Sequence, residues 1–271
     1  MSRLPTIFQS LRAANRKALM PFICGSHPRP GDTARLLPAL ARAGATVVEV
    51  GYPFSDPIAD GPVIAAAMHE ALQAGATPSG VHAEIAAARK GGATIGVVAM
   101  VSVSIVWRIG AEKFVADAKG AGVDGFIFPD APLEESANLL ARVRDAGLTA
   151  ALLIAPATDA HRAAQIASAC SGFVYVLARA GITGGSNGAG PAVDSIGQRL
   201  RELREATDLP LAVGFGISTA AHVRAVVHDA GADAAIVGSA LVKRMSDAAG
   251  AGRDAVAEGE AFVQELASGL I

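Results

Sequence analysis

Glu49 lies inside the run Val47-Val48-Glu49-Val50, next to a Gly51-Tyr52-Pro53 turn. An ionised carboxylate in an apolar run is costly to bury without a partner. Desolvation moves its pKa upward, towards the range where a carboxyl can both give and take a proton near neutral pH. An internal ion pair is the other use for such a residue. Asp60 follows on a loop rich in proline and aspartate, Pro53 to Pro62. A lone loop aspartate serves equally as a helix cap or a solvated charge. If the stiffened loop folds over the end of the Glu49 strand, the two carboxyls share one mouth. Unlike surroundings then push their protonation apart, which divides acid from base work.

A second group of residues suits an anion. Gly214-Phe215-Gly216-Ile217-Ser218 follows one apolar run, and Gly238-Ser239-Ala240 follows another and leads into a helix. Glycines let backbone N–H groups approach a phosphate closely, and a helix N-terminus adds partial positive charge. Tight turns alone would also require them. The stretch Arg179 to Gly188 is similarly glycine-rich, but it opens no first βαβ unit, so its likeness to a dinucleotide fingerprint is set aside. Three further places could bring polar or aromatic groups to a strand end: Cys24-Gly25-Ser26-His27, Pro129-Asp130 and Tyr175.

These residues need a scaffold, and a repeat along the chain supplies it. A glycine, one or two small or polar residues and an apolar run recur at Gly44, Gly92, Gly122, Gly147, Gly172 and Gly231. Each glycine can close a helix in the left-handed conformation. Each run is continuous rather than alternating, as in parallel strands buried on both faces. The runs are Val47–Val50, Ile95–Met100, Gly125–Phe128, Ala150–Ile154, Phe173–Leu177 and Ala234–Val237. With Ala18–Cys24 and Leu211–Val213 they make eight. Eight strands alternating with helices predict an α/β fold, a (β/α)8 TIM barrel spanning 1–271 as a single domain. An open doubly wound sheet is the alternative. An extra N-terminal helix precedes the first strand. The long gap from Gly44 to Gly92 predicts an inserted helix after strand 2, with helical stretches near Val63–Ala74 and Pro78–Lys90. Pro38 falls in the first crossover helix and is expected to kink it.

In such a barrel the chemistry gathers at the C-terminal ends of the strands, and phosphate sites form from the loops after the last two. The 271 residues carry a net charge of only −2, without a basic cluster, which argues against nucleic acid as a partner. No apolar stretch is long enough for a signal peptide or a membrane span. The two cysteines, Cys24 and Cys170, are too few for a disulfide framework and lack metal spacing. Buried, inert thiols in a cytoplasmic protein are expected, with no metal site. His161, His222 and His228 are expected on helix surfaces.

The stretch Glu49-Val50-Gly51-Tyr52-Pro53-Phe54-Ser55-Asp56-Pro57-Ile58-Ala59-Asp60-Gly61-Pro62 resembles the signature of the tryptophan synthase α subunit family. The resemblance continues in order through Pro21-Phe22-Ile23, Gly122 to Asp130, Ala155-Pro156-Ala157-Thr158, Ser171 to Tyr175, Gly181-Ile182-Thr183-Gly184 and Gly214 to Ser218. It implies a lyase that cleaves indole-3-glycerol phosphate by a retro-aldol reaction to indole and D-glyceraldehyde 3-phosphate. It further implies Glu49 as the proton-transfer residue and Asp60 as acceptor for the indole N–H. Phe22 and Tyr175 would line the indole pocket, and Thr183 would close over the site and orient Asp60. Backbone groups at Gly184, Phe215, Gly216, Gly238 and Ser239 would hold the phosphate. No cofactor is implied for this chain. The implied partner is a pyridoxal-phosphate β subunit that takes the indole within an α2β2 complex.

Two stretches depart from the family. After Ile95–Met100 the family has a Tyr- and Asn-Pro-containing loop that flanks the indole pocket and the β-subunit contact, whereas this chain has Ser102 and Ser104-Ile105. The first strand ends Cys24-Gly25-Ser26-His27 where Thr-Ala-Gly-Asp is usual. These departures leave two further readings: a barrel that activates a β subunit but turns over weakly alone, and a phosphate-sugar enzyme of related barrel type.

Overall fold

The computed structural model of the protein describes residues 1–57, 60–178, 193–214 and 216–271. Nine parallel strand segments are found there: β1 (Ala18–Cys24), β2 (Val47–Gly51), β3 (Gly96–Met100), β4 (Gly125–Ile127), β5 (Thr149–Ala151), β6 (Leu153–Ile154), β7 (Val174–Leu177), β8 (Leu211–Gly214) and β9 (Ala234–Val237). Their order is β5-β4-β3-β2-β1-β9-β8-β7-β6. The two ends of that list are consecutive in the chain, parted only by Leu152. The first half of this strand pairs with β4 and the second with β7. The segments therefore form the eight-stranded closed barrel expected, with its fifth strand shared between two neighbours. An open sheet is excluded.

The continuous apolar runs are explained by burial on both faces. Alternate residues point inward, where Met20, Val47, Val98, Ile127, Ala151, Phe173, Ala212 and Ala234 fill the barrel. The intervening residues, among them Leu19, Val48, Val97 and Val213, join a larger outer core beneath the helices. Helices α2 (Asp32–Arg42), α4 (Pro78–Lys90), α6 (Ala111–Ala121), α7 (Leu133–Asp145), α8 (Ala160–Ala169) and α9 (Val193–Arg204) pack side by side around it. The circuit is completed by α10 (Ala220–Arg224), which passes into a π-helical turn at Ala225–Asp229, and by α11 (Ser239–Gly250) and α12 (Ala255–Ala267). Pro38 does not break α2, which runs unbroken from Asp32 to Arg42.

The expected N-terminal helix is α1 (Leu4–Ala13). Its buried residues Leu4, Phe8 and Leu11 belong to the core inside the barrel, so the helix stops the N-terminal end. The fit is close: a Cβ on Gly96 would meet Leu4 at 2.9 Å. Beside it Asp124, 1% exposed, accepts hydrogen bonds from Arg3 N (3.1 Å), Arg3 Nη1 (2.9 Å), Arg89 Nη2 (2.8 Å) and Val97 N (2.9 Å). A buried carboxylate is tolerated there because its acceptor sites are filled.

At the opposite end lie α3 (Pro62–Gln73), the insertion after β2, and α5 (Val103–Ile109). The latter was not foreseen. It begins where Ser102 accepts a bond from Ser104 N at 3.2 Å and ends at Gly110, whose φ of +96° few other residues adopt. No helix among the described residues is long and apolar enough to cross a membrane.

Candidate active site

The C-terminal mouth of the barrel opens into a cavity of about 630 Å³, open solvent at its entrance included. Seven of the ten site residues expected from sequence line it: Phe22, Glu49, Asp60, Tyr175, Gly216, Gly238 and Ser239. The other three, Thr183, Gly184 and Phe215, lie outside the described residues, as does Arg179.

Glu49 points inward from β2 at the same level as Phe22 on β1, its partner in register. It is wholly buried, and neither carboxyl oxygen has a hydrogen-bond partner among the described residues. An internal ion pair is thus excluded within that set. Burial alone raises its pKa well above the ordinary glutamate value. Asp60 reaches the same cavity from the loop before α3. Its backbone N–H donates to Pro57 O at 3.0 Å, which turns the chain towards the mouth. Desolvation pushes its pKa up to about 6. The two carboxyls are therefore both shifted upward by burial.

The two aromatic residues are accommodated by glycines. A Cβ on Gly51 would stand 2.4 Å from Phe22 Cζ, and one on Gly214 would stand 2.6 Å from Tyr175 Oη. Neither distance is possible without displacing the ring. Burial is the main cause of the rise in the Tyr175 pKa, with the nearby charges of Glu49 and Asp60 adding to it. Tyr175 thus presents a neutral hydroxyl and an apolar ring.

Across the cavity, Gly238 caps α11, whose first residue is Ser239. The first N–H groups of a twelve-residue helix are aimed at this rim. Gly216, at φ +80°, lies on the neighbouring loop after β8. The arrangement thus gathers Glu49, Asp60 and the N-terminus of α11 around one largely apolar cavity.

Sequence reasoning missed much of the slot itself. Ile64, Met100, Leu153 and Ile236 also line it. Met100, Leu153 and Ile236 occupy the inward positions of β3, β6 and β9, so counting alternate residues from one barrel layer to the next was the signal available. The other candidates take different places. His27 is buried, with Nε2 3.0 Å from Glu70 Oε2 on α3, and Ser26 Oγ donates to Glu84 at 2.6 Å. Both act to fix the loop after β1. Cys24 and Cys170 are buried free thiols, and burial raises both pKa values. His161 and His228 are exposed and His222 is half-buried on its helix.

A closed parallel barrel with two buried carboxyls at the C-terminal mouth defines an enzyme of the (β/α)8 barrel class. Comparison with known proteins specifies the family. The sequence model of "Tryptophan synthase alpha chain" matches residues 8–270. The tryptophan synthase alpha chain of Polynucleobacter asymbioticus is 40% identical over 270 residues, covering 100% of this chain and 99% of that protein. That of Halorhodospira halophila is 42% identical over 249 residues, covering 91% and 89%. Among solved structures, tryptophan synthase subunit alpha from Legionella pneumophila superposes with a TM-score of 0.89 at 30% identity, covering 100% and 98%. Tryptophan synthase from M. tuberculosis in its aminoacrylate-bound form gives 0.86 at 30% identity, covering all of both chains. The chain belongs to the tryptophan synthase alpha chain family.

Proposed function

We propose that the chain catalyses the α reaction of tryptophan biosynthesis: the retro-aldol cleavage of indole-3-glycerol phosphate to indole and D-glyceraldehyde 3-phosphate. It acts with a β subunit that takes the indole. The observation that carries this reading is the burial of Glu49, without a hydrogen-bond partner among the described residues, in the same apolar cavity as Asp60 and the Gly238–Ser239 helix terminus.

The shifted carboxyls suit the steps in order. Glu49, held in its acid form by burial, donates its proton to indole C3. The resulting indoleninium carries its positive charge at the ring N–H, which hydrogen-bonds to the carboxylate of Asp60. With a pKa near 6, Asp60 is mostly ionised at pH 7. The Glu49 carboxylate then takes the proton of the C3′ hydroxyl. As the aldehyde forms, the C3–C3′ bond breaks and its electron pair returns to the ring. Glu49 ends protonated, ready for another turnover, and no redox step or added group is needed. Backbone N–H groups at Gly216, Gly238 and Ser239 hold the phosphate, with Gly184 and Phe215 assigned to the same role. Phe22 and Tyr175 flank the indole, and the family resemblance assigns Thr183 to orienting Asp60.

The 271 residues act as one domain, and we place the protein in the cytoplasm, in keeping with its two free buried thiols. The test is indole release from indole-3-glycerol phosphate by the purified chain, with and without a cognate β subunit. Cleavage stimulated by the β subunit is expected. No indole under either condition would overturn the assignment.

A further inference from the structure

Asp60 stands just before Pro62, the first residue of α3, so the place of that helix decides where the carboxyl lies. The inner face of α3 is Ile64, Ala67, Met68 and Ala71, packed with Phe22, Cys24 and Val242. Apolar contact of this kind is non-directional and leaves a helix free to slip. A directional contact comes from His27. Its ring is 1% exposed, and Nε2 lies 3.0 Å from Glu70 Oε2 on α3. An ionised carboxylate only accepts, so the ring nitrogen donates. His27 stands on a fixed base. Ser26 N donates to Thr33 Oγ1 at 2.9 Å and Ser26 Oγ to Glu84 Oε1 at 2.6 Å, while Thr33 N donates to Glu84 Oε2 at 3.0 Å. The loop after β1, α2 and α4 are thus tied into one unit, and His27 extends from it to α3. Cys24 lies within reach of both ends of α3, because the charges of Asp60 and Glu70 add to the burial that raises its pKa.

We propose that His27 is a positioning residue for the cleavage: through Glu70 it sets where α3 lies, and so how deeply the Asp60 carboxyl sits in the cavity. The inference rests on the reading that Asp60 accepts the indole N–H. From Pro62 to Glu70 the helix spans about 12 Å and moves as a unit, so slip at one end arrives at the other. Misplacing a reacting partner by about 1 Å costs up to about 10²-fold. The same slip lets water reach Asp60, whose pKa is held at about 6 by desolvation. Hydration returns it towards the ordinary aspartate value. Loss of the His27–Glu70 contact therefore has two linked signs, slower turnover and an acid limb at lower pH.

The experiment measures kcat, KM and the pH dependence of kcat/KM for indole release, using the chain with its β subunit. His27→Leu fills the buried space without a donor. It is expected to lower kcat about tenfold, to change KM by less than about threefold and to move the acid limb down by about one pH unit. Glu70→Ala breaks the same bond from a side chain that is 59% exposed, where folding is not at stake, and should reproduce both signs. The double variant should be no worse than either single one, as for two residues acting through one contact. Glu70→Gln loses the same charge but still accepts from His27, and is expected to keep kcat within about threefold and the limb in place. An acid limb unmoved in Glu70→Ala would overturn the proposal, as would additive losses in the double variant. Equal shifts in Glu70→Ala and Glu70→Gln would trace the effect to charge rather than position and would overturn it as well. A wild-type profile without an acid limb near pH 6 would instead overturn the reading of Asp60, and failure to cleave the substrate would overturn the lyase assignment.

Discussion

Replacing Glu49 by Gln is expected to stabilise the protein while abolishing its turnover. The side chain is fully buried and its oxygens have no partner among the described residues. Its folded-state pKa lies well above the ordinary 4.5, so the folded chain binds this proton more tightly than the unfolded chain does. Such a group stabilises fully below the unfolded value, and the contribution is lost as pH rises towards the folded value. Above pH 4.5 each further unit costs up to about 1.4 kcal/mol, for as long as the folded state keeps the proton. At pH 7 the limit is about 3 kcal/mol. Glutamine is close in shape and has no proton to retain. Its midpoint of thermal unfolding should therefore exceed that of wild type at pH 7 by several degrees, at roughly 2–4 °C per kcal/mol for a chain of this size. The gap should shrink steadily on acidification and close near pH 4.5. Activity should fall by on the order of 10² or more, as for loss of a proton-transfer group. Unfolding scans of both proteins between pH 4.5 and 8, alongside indole release, measure both effects. A stability gap independent of pH, or a Gln variant less stable at pH 8, would refute the account of Glu49 as an uncompensated buried acid.

Asp60 must be ionised to accept the indole N–H, and its pKa is about 6. The kcat/KM profile should therefore fall about tenfold per unit below pH 6. Asp60→Asn should remove that limb and lower turnover by on the order of 10², a result read directly from the pH–rate curve. Gly214→Ala would place a methyl 2.6 Å from Tyr175 Oη, so the ring must shift into the slot. A destabilisation of about 1–3 kcal/mol is expected, with a raised KM, measured by denaturant titration and steady-state kinetics. Arg89→Ala would take from Asp124 one of its charged partners and from the carbonyls of Gly122, Ala93 and Ile95 their donor. A loss of about 3–5 kcal/mol is expected from urea unfolding, because a buried carboxylate is left partly unpaired.

The barrel was legible because its signal is repeated. Each glycine-marked joint and two-face-buried run gave one strand, and most boundaries agree within a residue, as at Ala18–Cys24 and Ala234–Val237. Glu49 was legible for the opposite reason: it breaks the apolar pattern of its run. Residues that keep the pattern could not be told apart in this way. Met100 and Ile236 look like Val98 and Ala234 in sequence, and only the layer they occupy places them at the slot. The helix α5 was missed because seven residues are too few to show a period, and its start depends on one serine cap. Pro38 lies inside α2 without ending it, since a helix pinned on both sides by α4 and α12 tolerates one absent N–H.

The stopper helix α1 has a consequence for how the chain reaches its native state. Its apolar face is made for Gly96, Phe173 and other inner surfaces of the barrel, most of them encoded far downstream. During synthesis it leaves the ribosome before most of these surfaces and finds little to dock against. It must wait, exposed, until at least β7 has been made. Arg3 likewise waits for Asp124. The α1 segment is therefore among the last to be locked in place, and the barrel around it must assemble before its own floor is laid.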